Sequence, residues 1–334
     1  LEGFYNADHR TSSVATSPDA AATVFSERVI ALLAPGQGSQ APGMLAPWLE
    51  LDGVAELVAG WSEATGLDLA RLGTTADAEE IKDTAVTQPL IVALTLVAFR
   101  ELERRVAVPA SAPVAGHSIG ELAASAIAGV LSMDDAVTLA AVRGRAMADA
   151  CALEPTGMAA VMGGEADELL ARLDEYGLVP ANRNGAGQTV AAGSLTALQK
   201  LAEQRPAGTK VVMLKVAGAF HTHYMDPARD TLRERAAGVV TADPARPLLS
   251  NADGSVVTGG AEMLGRLVAQ VTLPVRWDLC MDTLARSGVT TTIELAPGGA
   301  LTGLVKRQLK DVVTRPIAIK TPADLDKAVE AVQQ

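Results

Sequence analysis

Ser118 stands in Gly116-His117-Ser118-Ile119-Gly120, between the short apolar run Val114 to Gly116 and an alanine-rich stretch that begins at Gly120. This fits G-x-S-x-G at a strand-to-helix turn, where flanking glycines let strand and helix approach closely. The serine hydroxyl then projects at a helix N-terminus, and the next N–H, that of Ile119, points at an oxyanion developing on an attacked acyl carbon. An ordinary helix cap is the competing account of a serine at a helix start. A nucleophile needs a base, and the chain has four histidines. His9 lies in a polar N-terminal stretch. His117 is adjacent to Ser118, and adjacent side chains diverge. Elimination leaves His221 and His223 in "VAGAFHTHYMDP", and the residues alone do not choose between them. No acidic residue is marked as a third, orienting group. Asp226 and Asp230 read as solvated charges on a following helix. A further stretch, "APGQGSQAPGM", sets Gly36 and Gly38 around Gln37, where bare backbone can donate N–H groups to a ligand. It lacks phosphate-loop spacing, and a plain Gly/Pro turn is an equal reading.

These residues need a scaffold. Val29 to Ala34 reads as a buried strand ended by Pro and Gly. "PLIVALTLVAFRELERR" reads as a helix starting at Pro89, and "PVAG" as the strand running into Ser118. "SMDDAVTLAAVRGRAMADA" offers Ser132 as N-cap and two aspartates in the first turn of an amphipathic helix. From about Gly157 the order becomes strand "GMAAVMGG", helix "EADELLARLDEYG", strands "LVPANRN" and "QTVAAG", helix "LTALQKLAEQ" and strand "KVVMLKVAG". That β-α-β-β-α-β order is a ferredoxin-like signature. "RPLLSN" and "VTTTIEL" are further buried strands, and "GGALTGLVKRQLK" is a loop entering a helix.

The whole chain sets bounds. It has 334 residues, 49% hydrophobic and only 3% aromatic, enough for a large domain carrying a smaller one with a core of small aliphatic groups. The net charge of −11 argues against a nucleic-acid or anionic-membrane binder. Cys151 and Cys280 stand in unrelated contexts without metal spacing and read as buried thiols in a reducing compartment. No run reaches the length of a membrane span, and the N-terminus lacks a signal-peptide pattern. The expectation is a soluble, cytoplasmic, monomeric protein. Residues 1–28 read as a polar tail outside the fold.

The ordered set "APGQGSQ", "TQPLIVA", "GHSIGE", "VRGRAM", "NRNGAGQTVAAG", "GAFHTHYM", "QVTLPVRW" and "ELAPGGALTGLVKR" resembles the malonyl-CoA:acyl carrier protein transacylases of fatty-acid synthesis and the acyltransferase domains of polyketide synthases. The resemblance runs from about Val29 to the C-terminal region, and residues 1–28 are the main departure from it. It implies an α/β-hydrolase-like large domain, 29–153 and 221–334, with an inserted ferredoxin-like small domain, 154–220. It also implies Ser118 as the acyl-accepting nucleophile, His221 as its base, and the N–H groups of Gln37 and Ile119 as the oxyanion hole. The backbone carbonyl of Gln270 would orient the histidine, which accounts for the missing acidic group. Arg143 would bind the malonyl carboxylate with its guanidinium fork, whereas Arg145 reads as an exposed helix charge. Phe220 before His221 would crowd an α-methyl branch, and Asn182 and Asn184 would line the cleft from the small domain. The implied partners are malonyl-CoA as donor and acyl carrier protein as acceptor, with no bound metal or redox cofactor. Lys306, Arg307 and Lys310 in "LVKRQLK" are a solvated helix face or a docking patch for an acidic carrier. The competing readings are a serine hydrolase on the same elbow and a non-catalytic carrier-binding module. Arg143, Gln37 and the absent acidic group favour transfer.

Overall fold

The computed structural model describes residues 29–334. The 1–28 stretch, with His9, lies outside the described residues. The strands, in chain order, are β1 (Val29–Ala34), β2 (Val114–Gly116), β3 (Thr156–Gly163), β4 (Val179–Gly185), β5 (Gln188–Ser194), β6 (Thr209–Met213), β7 (Leu248–Leu249), β8 (Val256–Val257), β9 (Val289–Glu294) and β10 (Arg315–Ala318). They form two sheets. The larger has the order β10-β9-β1-β2-β7-β8 and is parallel except for β8. The smaller has the order β4-β5-β3-β6 and is antiparallel throughout.

The central strand β1 shows why the larger sheet sits inside the molecule. "VIALLA" is apolar at every position, as a parallel strand covered on both faces must be. Ile30, Leu32 and Ala34 enter one core and Ala31 and Leu33 the other, the alternation that a pleated strand imposes. The expected helix at Pro89 begins earlier, at Thr84, and runs to Glu103. Asp83 caps it by accepting from Ala85 N–H at 2.9 Å. Pro89 therefore stands inside the helix, where it withholds one backbone donor. Sixteen buried residues hold the helix in place there. This helix also corrects the expectation about membrane spans: it is long and apolar enough to cross one, yet 83% of its apolar window is buried within the protein. It packs on the helix Met133–Cys151, which Ser132 caps as expected. At Gly144 an added Cβ would lie 2.6 Å from the Thr84 carbonyl oxygen. That close approach sets Gln88 beside Arg143.

In the smaller sheet, Ala159, Val161 and Ala191 face the helices Ala166–Glu175 and Leu195–Glu203 and form a separate core with Leu169, Leu173, Leu198 and Leu201. The alternate residues Met158 and Val190 face a cleft against the larger sheet. The segment before the helix Trp277–Arg286 pins the edge strand β4 across that cleft. Val275 donates to the Ala181 carbonyl at 2.8 Å and accepts from Arg183 N–H at 2.9 Å. "RPLLSN" is shorter as a strand than its apolar character suggests, pairing only at Leu248–Leu249. Cys280 is buried, but Cys151 is only half-buried, at the end of its helix.

Candidate active site

Ser118 sits between β2 and the helix Gly120–Ile127 with φ of 52°. A non-glycine residue in that left-handed region is strained, and its neighbours hold it there. Its N–H donates to Asn251 Oδ1 at 2.8 Å, and Asn251 Nδ2 donates to the Gly116 carbonyl at 2.7 Å. The glycines are sterically required. A Cβ on Gly116 would fall 2.1 Å from the Gly120 carbonyl, and one on Gly120 would fall 2.3 Å from the Ala34 carbonyl oxygen. His221 is a second left-handed residue, with φ of 61°. The two strained residues meet: Ser118 Oγ and His221 Nε2 are 2.8 Å apart.

The imidazole's other side fixes its tautomer. His221 Nδ1 is 2.8 Å from the Gln270 carbonyl oxygen, which can only accept, so the proton is on Nδ1 and Nε2 is free to accept from the serine hydroxyl. Burial lowers the His221 pKa to about 3, helped by the charge of Arg143 and opposed by the Gln270 carbonyl. The ring is therefore neutral at pH 7 and able to take a proton. His223 lies outside this arrangement, exposed and against the ring of Tyr224. Asp226 and Asp230 pair with Arg229 and Arg233 at the surface, as solvated charges.

Arg143 is 2% exposed. Its Nη1 donates to Gln88 Oε1 at 2.7 Å, and its Nη2 donates to Gln270 Oε1 at 3.0 Å and faces Ser118 Oγ at 3.3 Å. Burial lowers its pKa to about 10, so it keeps its charge at pH 7. No carboxylate among the described residues comes within ion-pair distance of it. A buried cation without a counter-charge in contact is costly, and here it borders a cavity that an anionic group can enter.

That cavity holds about 170 Å³, room for a short acyl chain. Ser118, His221, Arg143, Gln37, Ile119, Phe220, Asn182 and Asn184 all line it. Gln270 is not among its lining residues and meets the site through His221 and Arg143. The N–H groups of Gln37 and Ile119 have no protein acceptor among the described residues, so both are free to receive an oxyanion. Gly36 keeps Gln37 close to the elbow: its added Cβ would lie 2.6 Å from the His117 carbonyl oxygen. Arg145, two residues past Arg143, is exposed, and Lys306, Arg307 and Lys310 are exposed at the end of the helix Ala300–Gln308 and just beyond it.

Several site residues escape sequence reasoning. His117, set aside as a base, lines the cavity, 2.9 Å from Asn184 Oδ1. Gln88 carries no signal in the sequence beyond its place in "TQPLIVA". Asn251 is the last residue of "RPLLSN" and lies just past the carboxyl end of the parallel strand Leu248–Leu249, the position at which open α/β sheets place ligand-binding residues. Chemically, the arrangement offers a hydroxyl nucleophile, a neutral base in contact with it, two free donors for an oxyanion and a cation for an anionic acyl group.

The acyl transferase domain family model matches residues 32–329. The malonyl CoA-acyl carrier protein transacylase of Mycobacterium tuberculosis is 60% identical over 300 residues, 90% of this chain and 99% of that one. The enzyme of the same name from Escherichia coli is 34% identical over 307 residues, 90% and 98% of the two chains. The crystal structure of MCAT from Mycobacterium tuberculosis superposes with a TM-score of 0.87 at 59% identity, covering 90% of this chain and all of that one. The chain belongs to the acyl transferase domain family.

Proposed function

We propose that this protein transfers the malonyl group from malonyl-CoA to the phosphopantetheine thiol of acyl carrier protein, through a malonyl ester on Ser118. The observation that carries the reading is the placement of Arg143, buried and without a carboxylate partner, in the same cavity as the Ser118–His221 pair. The names of the relatives support the substrate pair. His221 takes the Ser118 proton as the oxygen attacks the thioester carbonyl, and the N–H groups of Gln37 and Ile119 hold the oxyanion. The C–S bond breaks and CoA leaves with the proton from His221. The ester waits with its carboxylate on Arg143. The carrier's thiol then attacks, His221 again moving the proton, and Ser118 is released. Nothing in this sequence calls for a bound metal or redox cofactor.

On this reading the larger sheet and its helices form an α/β-hydrolase-like domain, and residues 154–220 form a ferredoxin-like insert whose strands bring Asn182 to the cleft. Phe220 narrows the cavity against branched acyl groups. The exposed Lys306, Arg307 and Lys310 are a docking patch for an acidic carrier. The protein works as a cytoplasmic monomer. Radiolabelled malonyl-CoA with and without carrier protein tests the reaction. Label passing to the carrier, with little free malonate in its absence, supports transfer. Rapid release of malonate without carrier would make the protein a hydrolase.

A further inference from the structure

Glu121 is a buried carboxyl that the acyl transfer above leaves without a task. It lies in the first turn of the helix behind Ser118 and is 1% exposed. Its Oε1 accepts from Asn251 N–H at 2.6 Å, and its Oε2 accepts from Gln270 Nε2. Gln270 is a branch point. Its amide nitrogen also faces the Ser118 carbonyl at 3.2 Å and Asn251 Oδ1 at 3.3 Å, while its Oε1 accepts from Arg143 Nη2. A side-chain amide presents oxygen to one side and nitrogen to the other. Its orientation therefore decides whether Arg143 meets an acceptor or a second donor. Of the three acceptors around the nitrogen, the Glu121 carboxylate is the only one that can carry charge, and hydrogen bonds to ionised groups are the stronger ones.

We propose that Glu121 is a positioning residue for carboxylate-bearing substrates: ionised, it locks the Gln270 amide with its oxygen toward Arg143 and so fixes the guanidinium in the orientation that receives the acyl carboxylate. The inference rests on the reading of Arg143 as the carboxylate-binding group. Protonated Glu121 places an O–H donor where the Gln270 N–H donor points, and the lock is lost.

The groups facing Glu121 and the cavity give this a pH signature. Burial raises the Glu121 pKa to about 8, against the hydrogen bonds from Asn251 and Gln270 and the charges of Arg143 and Arg266. Arg143 stays charged up to about pH 10, and His221 stays neutral down to about pH 3. Burial pushes the Cys280 thiol up, out of range, and holds the His117 pKa below its ordinary value, so the ring on the cavity wall stays neutral above pH 6.5. Between pH 6.5 and 9, Glu121 is the group of this set that changes charge.

The test is the ratio of kcat/KM for malonyl-CoA to that for acetyl-CoA, in which effects on Ser118 and His221 cancel. In the unaltered protein the ratio should rise at least fivefold from pH 6.5 to 9. In Glu121→Gln it should be flat and about tenfold lower at pH 9, the scale of one hydrogen bond to a charged group. The two proteins should converge at pH 6.5. A flat ratio in the unaltered protein overturns the proposal even if Glu121→Gln fails to fold. A folded Glu121→Gln protein with an unchanged ratio at pH 9 also overturns it. Arg143→Ala separates the two ideas. If that variant keeps its malonyl preference, the reading of Arg143 fails and takes the proposal with it. If the preference is lost, the Glu121 results alone decide.

Discussion

Replacing Arg143 by Ala removes a charged fork whose two amines are already aimed. Nη1 is held by Gln88 at 2.7 Å and Nη2 by Gln270 at 3.0 Å, on a residue that is 2% exposed. Each hydrogen bond to a charged group contributes about 1.5–3 kcal/mol, so a bidentate carboxylate contact has a gross value of about 3–6 kcal/mol. Stripping water from both charges offsets part of this. A net loss of about 3 kcal/mol is roughly a hundredfold in kcat/KM. An acetyl group makes no use of the guanidinium, and binding it leaves that charge unpaired. Its kcat/KM should hold or rise by up to about threefold, because the variant removes that unpaired charge. The assay is CoA release from malonyl-CoA and acetyl-CoA at fixed carrier concentration, with thermal melts to confirm folding. The malonyl-to-acetyl ratio should fall about a hundredfold. Equal losses for both thioesters would make Arg143 a structural group, and no loss for malonyl-CoA would refute a carboxylate contact there.

Four further outcomes follow from the same geometry. Because His221 titrates at about 3, kcat/KM for acetyl-CoA should be level from pH 5 to 7, and a fall centred near 6.5 would contradict the buried, neutral ring. The same shift bears on stability: the unfolded chain binds this proton below about 6.5 while the folded one does not, so stability is full above 6.5 and is lost as pH falls toward 3. His221→Gln should lose activity by about 10²–10⁴-fold and flatten the acid limb of the melting curve, and an unchanged acid limb would remove His221 as its source. Gly116→Ala puts a Cβ 2.1 Å from the Gly120 backbone; overpacking of about 1–3 kcal/mol should lower Tm by several degrees and abolish acylation, and an unshifted Tm would show that the elbow has slack. Phe220→Ala should raise the kcat/KM of methylmalonyl-CoA relative to malonyl-CoA by about tenfold or more, and an unchanged ratio would clear Phe220 of a steric role.

The parts legible in the sequence are those set by local chemistry. The two glycines of the elbow, the Ser132 cap and the unbroken apolar run of β1 each follow from short-range sterics or periodicity. The strand and helix order of Thr156–Met213 was legible for the same reason. Pro89 is a strong start signal and points to a helix beginning there, while burial of the helix on nearly every side tolerates it five residues inside. What the sequence could not display is the network assembled across the chain. Asn251 reaches Ser118 over 133 positions, and Gln270 joins Glu121 and Arg143 on two different helices to His221 on a loop. Such contacts exist only after the parallel sheet has brought its strand ends together, and no local period encodes them. His117 is a poor base for its neighbour because adjacent side chains diverge. Its ring meets Asn184 rather than Ser118, and it lines the same cavity.

Transfer by this route depends on a malonyl ester forming on Ser118. The most direct test is the intact mass of the protein after brief incubation with malonyl-CoA, alongside Ser118→Ala. The expected result is a gain of one malonyl group, absent in the variant and discharged when acyl carrier protein is added. A variant that still gains the group, or a protein that turns over malonyl-CoA with no adduct trapped before carrier is added, would contradict the account.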